Sequence, residues 1–166
     1  MSLVQKGNSQ AFQTLFSRYK DPIWAFVFRR VRDRNVASDV YQEVFLRVWK
    51  SAHTYKSGQK VKPWIYRIST NVMRDQYRKN TRQVVTVELD ELSPGQMSDP
   101  IGTVDLEKAI QSLPETLRDA FLLGAVQGLD HNEVAETLNI SSANARARLS
   151  RARLRLREIL SQREDT

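Results

Sequence analysis

Apolar residues recur at three- and four-residue intervals along most of this chain, the period of amphipathic helices. Ala11, Leu15 and Phe16 mark a first helix, and Asp21-Pro22 predicts a break in it, because proline lacks the N–H a helix interior needs. Ile23 to Val31 continues as a second helical stretch. Asn35 is the expected cap of the next helix, where Val36, Val40, Val44 and Val48 stand four residues apart on one face. A loop containing Gly58 is predicted from Thr54 to Lys62. Pro63 then suits the first turn of another helix, predicted to run to about Arg78.

The helical pattern stops at residues 84–105. Val84-Val85-Thr86-Val87 reads as a short extended piece, and Ser93-Pro94-Gly95 and Asp99-Pro100-Ile101-Gly102 are turn signals. Helical spacing resumes near Val104, with helices expected around 104–112, 114–127, 131–138 and 142–161. The predicted fold is all-α: two small helical domains, 1–83 and 106–166, joined by a linker over 84–105. The second domain is expected to hold a helix-turn-helix.

Charge sharpens this division. The formal net charge is +7, but it is segregated. Residues 1–83 hold 17 Lys/Arg against 5 Asp/Glu, and residues 141–166 hold 7 against 3. The 22 residues of the linker hold 5 Asp/Glu and no Lys/Arg. Two basic segments around an acidic linker point to a polyanionic partner. There is no cysteine, which removes disulfides and thiolate metal sites and fits a reducing cytoplasm. No apolar run is long enough to span a bilayer, and Met1 to Gln10 lacks the apolar core of a signal peptide.

Near the C-terminus, Asp130-His131-Asn132-Glu133 has the form of a capping box. Val134, Ala135 and Leu138 give that short helix an inner face. Asn139-Ile140 makes a turn and Ser141 caps the next helix. Two helices so closely joined, the second rich in arginine, read as a DNA-binding helix-turn-helix. In the second helix Ala145, Leu149, Ala152, Leu156 and Leu160 share one stripe and should face a core. Ala143, Ala147, Ser150 and Leu154 lie opposite, bordered by Arg146, Arg153 and Arg157 on one side and Arg148, Arg151 and Arg155 on the other. Small residues between guanidinium groups suit a helix laid in a major groove. His131 is expected on the surface, with no second histidine or cysteine near it to form a metal site.

The helix from Pro63 carries another chemistry. Ile65, Ile68 and Val72 should face a core, whereas Arg67, Asn71, Arg74 and Arg78 share a face. Tyr66, Met73 and Tyr77 form a neighbouring edge, with Trp64 at the start and Tyr55 in the preceding loop. Arginines interleaved with aromatic rings suit single-stranded nucleic acid; Trp64 and Tyr66 can also be read as core, Trp64 at least as readily. On the valine helix, Asp39, Gln42, Glu43, Leu46 and Lys50 cluster opposite the valines. A leucine among polar groups has the composition of a protein contact. Glu43 and Arg47 also have the spacing of a helix-stabilising pair. Asp39 and Glu43 have no evident partner for metal or acid–base work.

These residues resemble a known family. Asp39-Val40-Tyr41-Gln42-Glu43-Val44-Phe45 is similar to the polymerase-binding motif of the extracytoplasmic-function sigma factors, a sigma-70-like family of bacterial RNA polymerase. Pro63-Trp64-Ile65-Tyr66-Arg67-Ile68-Ser69-Thr70-Asn71, with Asp75-Gln76-Tyr77-Arg78, resembles their promoter-melting helix. Leu113-Pro114 to Phe121, Gly128-Leu129 and Glu133-Val134-Ala135 resemble their second domain, and Ala145 to Arg153 their recognition helix.

The resemblance implies a non-enzymatic promoter-specificity subunit without cofactor or metal, acting in the cytoplasm. Its implied partners are core RNA polymerase, promoter DNA and an anti-sigma factor. Asp39, Gln42, Glu43, Leu46 and Arg47 would dock on the clamp helices of the large polymerase subunit. Tyr55, Arg67 and Asn71 would handle the melted minus-10 strand, with Arg74, Arg78, Lys79 and Arg82 holding phosphates. Ala143, Asn144, Arg146, Ala147, Ser150 and Arg151 would read the minus-35 element as duplex. One departure stands out: Ala143-Asn144-Ala145 replaces the Gly-Thr-Val usual in the family. An autonomous DNA-binding regulator would use only the second domain and leave the Asp39–Glu43 face and Arg67 and Asn71 without a purpose. A sigma mimic that only titrates an anti-sigma factor would have less need of an arginine-bordered helix.

Overall fold

The computed structural model describes residues 1–83 and 103–164. The chain forms two compact units. Among the described residues the regular structure is entirely helical, as the apolar spacing predicts. The expected extended piece at Val84–Val87 and the acidic linker lie outside the described residues, apart from 103–105, which open a helix.

The first unit contains α1 (Ser2–Gln5), α2 (Ser9–Val31), α3 (Arg34–Lys50) and α4 (Val61–Gln83). A single tight helical turn, Ala52–Thr54, precedes the loop into α4. The Asn8 side chain caps α2 by accepting from the Ala11 N–H. The predicted break at Asp21-Pro22 does not occur: α2 runs unbroken through Pro22. Asp21 and Pro22 are exposed, so water can satisfy the carbonyl that loses its N–H partner, while fully buried Ile23, Phe26 and Val27 hold the following turns against the core. The cap of α3 is Asp33, not Asn35, and its carboxylate accepts from the Val36 N–H at 2.9 Å.

Aromatic rings join α2 to α3. Phe16 packs edge-on against Phe45 with centroids 4.7 Å apart, Trp24 against Tyr41 at 5.5 Å, and Phe12 against Trp49 at 5.0 Å. Such edge-to-face pairs add geometric preference to apolar burial. Val40, Val44 and Val48 are buried as their spacing predicts. Trp64, Ile65, Tyr66, Val72 and Met73 bring α4 into the same core, and Tyr66 meets Phe26 edge-on. This settles the two readings of Trp64 and Tyr66 in favour of core. Pro63 lies in the first turn of α4, and the helix continues past Arg78 to Gln83.

The second unit contains α5 (Thr103–Ser112), α6 (Glu115–Phe121), α7 (His131–Leu138) and α8 (Ser142–Glu164). A π turn at Leu122–Val126 extends α6. It ends at Gly128, whose φ of +71° is accessible to glycine, and the Leu129 N–H reaches back to the Leu123 carbonyl at 3.0 Å. Arg118 closes the end of α5: its Nη2 donates to the carbonyls of Gln111 and Leu113. Ala145, Leu149, Ala152 and Leu156 of α8 are buried and Leu160 is half-buried, so the predicted inner stripe faces the core.

Candidate nucleic-acid and partner interfaces

The helix-turn-helix is built from α7, α8 and the three residues between them. Asp130 accepts from the Asn132 and Glu133 N–H groups, both at 2.9 Å, while Glu133 accepts from the Asp130 N–H at 2.7 Å. This is the predicted capping box. Asn139 ends α7 with φ of +55°, a left-handed conformation that asparagine tolerates better than most residues. Ser141 caps α8 through the Asn144 N–H at 3.2 Å. One contact was not legible from spacing: Ser142 Oγ donates to Asn132 Oδ1 at 2.7 Å, tying the starts of the two helices together. His131, expected at the surface, is half-buried.

The outer side of α8 carries the predicted chemistry. Ala143, Asn144, Arg146, Ser150 and Arg151 are exposed, and Ala147 is half-buried between them. Asn144 Oδ1 accepts from Arg148 Nε at 3.1 Å, so the residue that departs from the family pattern is engaged by a neighbouring guanidinium.

On α4, Asn71, Arg74, Arg78 and Lys79 are exposed and Arg67 is half-buried, while the opposite side enters the core. Arg74 Nη1 lies 3.5 Å from Asn71 Oδ1. Tyr77 is the most exposed large ring among the described residues, at 66 %. Tyr55 sits differently from these. Its ring is buried edge-on to Trp64, and its hydroxyl donates to the Gln59 carbonyl. The Gln5 side chain donates to the Tyr55 carbonyl at 2.7 Å, so α1 fastens the loop entering α4. The side chain of Arg82 lies outside the described residues.

On α3, Asp39, Gln42 and Leu46 are exposed and Glu43 is half-buried. Leu46 is 46 % exposed, and Trp49, one turn on, presents part of its ring at 37 %. Sequence spacing did not single out Trp49. Arg47 Nε pairs with Glu43 Oε1 at 2.7 Å, and Arg47 Nη1 pairs with Asp75 Oδ2 on α4, also at 2.7 Å. Both edges of this guanidinium are therefore occupied within the unit. Among the described residues no group of three His, Cys, Asp or Glu side chains could hold a metal ion. No described helix is long and apolar enough to cross a membrane.

A helix-turn-helix unit with an arginine-bordered outer face, in one chain with a second helical unit that has its own basic face, defines a nucleic-acid-binding protein. The sequence profile of sigma-70 region 2 matches residues 15–83, and that of sigma-70 region 4 matches residues 103–156. The chain is 31% identical to the RNA polymerase sigma factor CarQ of Myxococcus xanthus, over 99% of this chain and 97% of that protein. It is 28% identical to the ECF RNA polymerase sigma factor SigM of Bacillus subtilis, over 87% and 92% respectively. The fold is that of the sigma factor RpoE from Bartonella quintana, solved in complex with the anti-sigma factor NepR. The TM-score is 0.78 at 24% identity, covering 92% of this chain and 98% of that one. The chain belongs to the extracytoplasmic-function group of sigma-70 RNA polymerase sigma factors. It is accordingly a transcription initiation factor, which binds core polymerase and promoter DNA.

Proposed function

We propose that the two units divide promoter recognition by the state of the DNA. The outer face of α8, with Ala143, Asn144, Arg146, Ala147, Ser150 and Arg151, reads the upstream element as duplex. Its small central residues allow close approach to base edges, and its arginines reach phosphates and guanine. The α4 face, with Arg67, Asn71, Arg74, Arg78 and Lys79, receives the melted strand of the downstream element. Tyr55 acts by shaping the loop before α4 rather than by touching a base, because its ring and hydroxyl are both engaged inside the unit. Capturing a displaced base offsets an unstacking cost of a few kcal/mol.

Core polymerase docks on α3 through Asp39, Gln42, Glu43 and Leu46, where an exposed leucine is rimmed by polar side chains. The protein performs no chemistry itself; polymerase supplies it. It works in the cytoplasm, where its partners are. An anti-sigma factor covers these surfaces until initiation is required; the similar RpoE is solved in complex with the anti-sigma factor NepR.

The observation that carries this reading is the presence of two basic helical faces of different character, one bare and narrow, one beside buried aromatics, on units that match regions 2 and 4. The test is run-off transcription from a promoter library with core polymerase and the full-length chain. Promoter-dependent initiation is expected. Asn71→Ala should impair open-complex formation more than duplex binding, and Arg146→Ala should weaken duplex binding at the upstream element. If both changes weaken only duplex binding, the division of labour is wrong.

A further inference from the structure

Arg47 and Asp75 join two faces to which different partners are assigned. Arg47 stands on α3, next to exposed Leu46. Asp75 stands on α4, one turn beyond Asn71 and between Arg74 and Arg78 in sequence. The i, i+4 spacing puts Asp75 on the side of α4 that carries Asn71. A carboxylate there has the wrong sign for a nucleic-acid backbone, because it repels phosphates that Arg74 and Arg78 attract. The structure places one cation directly on it: Arg47 Nη1 lies 2.7 Å from Asp75 Oδ2. Glu43 takes the other edge of the guanidinium at 2.7 Å and holds it from its own helix.

We propose that Arg47 is a positioning residue for the strand-binding face rather than a contact for polymerase. It pairs with Asp75 and masks that carboxylate from the incoming strand. The inference rests on the reading of α4 as the melted-strand face. Its Nε and Nη1 are directed at two carboxylates of its own unit, which fixes the side chain between α3 and α4. The pair is partly exposed, with side chains 36% and 42% accessible, so its charges are felt by a strand lying on α4. Its value is therefore in the sign of the field at that face.

The test uses holoenzyme reconstituted from core polymerase and the full-length chain. The probe is a fluorescent single strand carrying the non-template downstream element of a promoter selected by run-off transcription. Arg47→Ala should weaken strand binding about fivefold, the size expected for one uncovered charge near phosphates. Asp75→Asn should leave strand affinity unchanged or raise it. The double variant Arg47→Ala/Asp75→Asn should return affinity to within about twofold of the parent, because the carboxylate that needed masking is gone. Core-polymerase affinity should be the same in all three.

Loss of core affinity in Arg47→Ala that Asp75→Asn does not restore would make Arg47 a polymerase contact and overturn the proposal. So would a fall in strand binding in Asp75→Asn as large as that in Arg47→Ala. If Arg47→Ala alone folds poorly, the comparison of Asp75→Asn with the double variant decides: equal strand affinity supports masking, and a weaker double variant overturns it. The underlying assignment fails separately, through Asn71→Ala leaving strand binding intact.

Discussion

Gly124 lies against Leu149: a Cβ built on the glycine would stand 2.8 Å from both methyl carbons of the leucine. Leu149 is buried at the centre of the inner stripe of α8, so any shift of its methyl carbons is made inside the core. The π turn that contains Gly124 and α8 thus meet where even a methyl group requires the leucine to shift. Gly124→Ala should destabilise the second unit by about 1–3 kcal/mol, the range for overpacking a core. Urea unfolding followed by far-ultraviolet circular dichroism checks this, and an unchanged midpoint would mean that α8 shifts freely.

Arg148 and Asn144 offer a test of duplex reading. Asn144 holds Arg148 Nε at 3.1 Å, and its own N–H is bound to Ser141. Arg148→Ala should weaken upstream-element binding by about 1–3 kcal/mol if its guanidinium meets a base edge. If it meets only a phosphate, binding should weaken evenly across sequences and the salt slope should fall by about one. Asn144→Ala should cost affinity in the parent and little in the Arg148→Ala background. Fluorescence anisotropy with a set of duplexes at several salt concentrations separates these outcomes.

The contrast between these sites shows what was legible in the sequence. The apolar stripe of α8 and the capping box at Asp130 repeat with helical spacing, and both stand in the structure as read. The Gly124–Leu149 approach and the Arg47–Asp75 pair join residues far apart in sequence, and no local period encodes them. Pro22 misled for a related reason. Its local cost is real, but burial of Ile23, Phe26 and Val27 in the turns that follow outweighs that cost. Asn35 misled as a cap because a better acceptor, Asp33, stood two residues earlier. The exposed basic faces of α4 and α8 were readable because they follow the same period as the core.

The capping box itself predicts a modest, local effect. Asp130→Ala removes the acceptor for the Asn132 and Glu133 N–H groups at the start of α7. The expected cost is about 1 kcal/mol. Asp130→Asn should recover most of it, since asparagine caps nearly as well. Thermal melts of the three proteins would reveal this order, and an Asp130→Asn variant as unstable as Asp130→Ala would argue for a charge effect instead.

Alkaline conditions should act on the first unit through Tyr66. Burial, and secondarily the charge of Tyr19, raise the Tyr66 pKa above the ordinary tyrosine value of 10.0. The folded state therefore keeps the phenol proton that the unfolded state releases. This contribution to stability is full below the unfolded pKa and is lost as pH rises through the higher folded one. Melting temperature should fall above about pH 10, and Tyr66→Phe should flatten that fall. A Tyr66→Phe protein with the parent's alkaline slope would assign the effect to Tyr19 or Tyr41, whose pKa values burial also raises.

The aromatic ladder between α2, α3 and α4 gives the protein a built-in optical label. All three tryptophans, Trp24, Trp49 and Trp64, and all five tyrosines lie in the first unit. Intrinsic emission is thus blind to the second unit, while helical dichroism sums over both units. Unfolding curves from the two signals coincide only if the units melt as one cooperative block. The distance between the curves measures, without any added dye, how independently the two units of this sigma factor hold their folds.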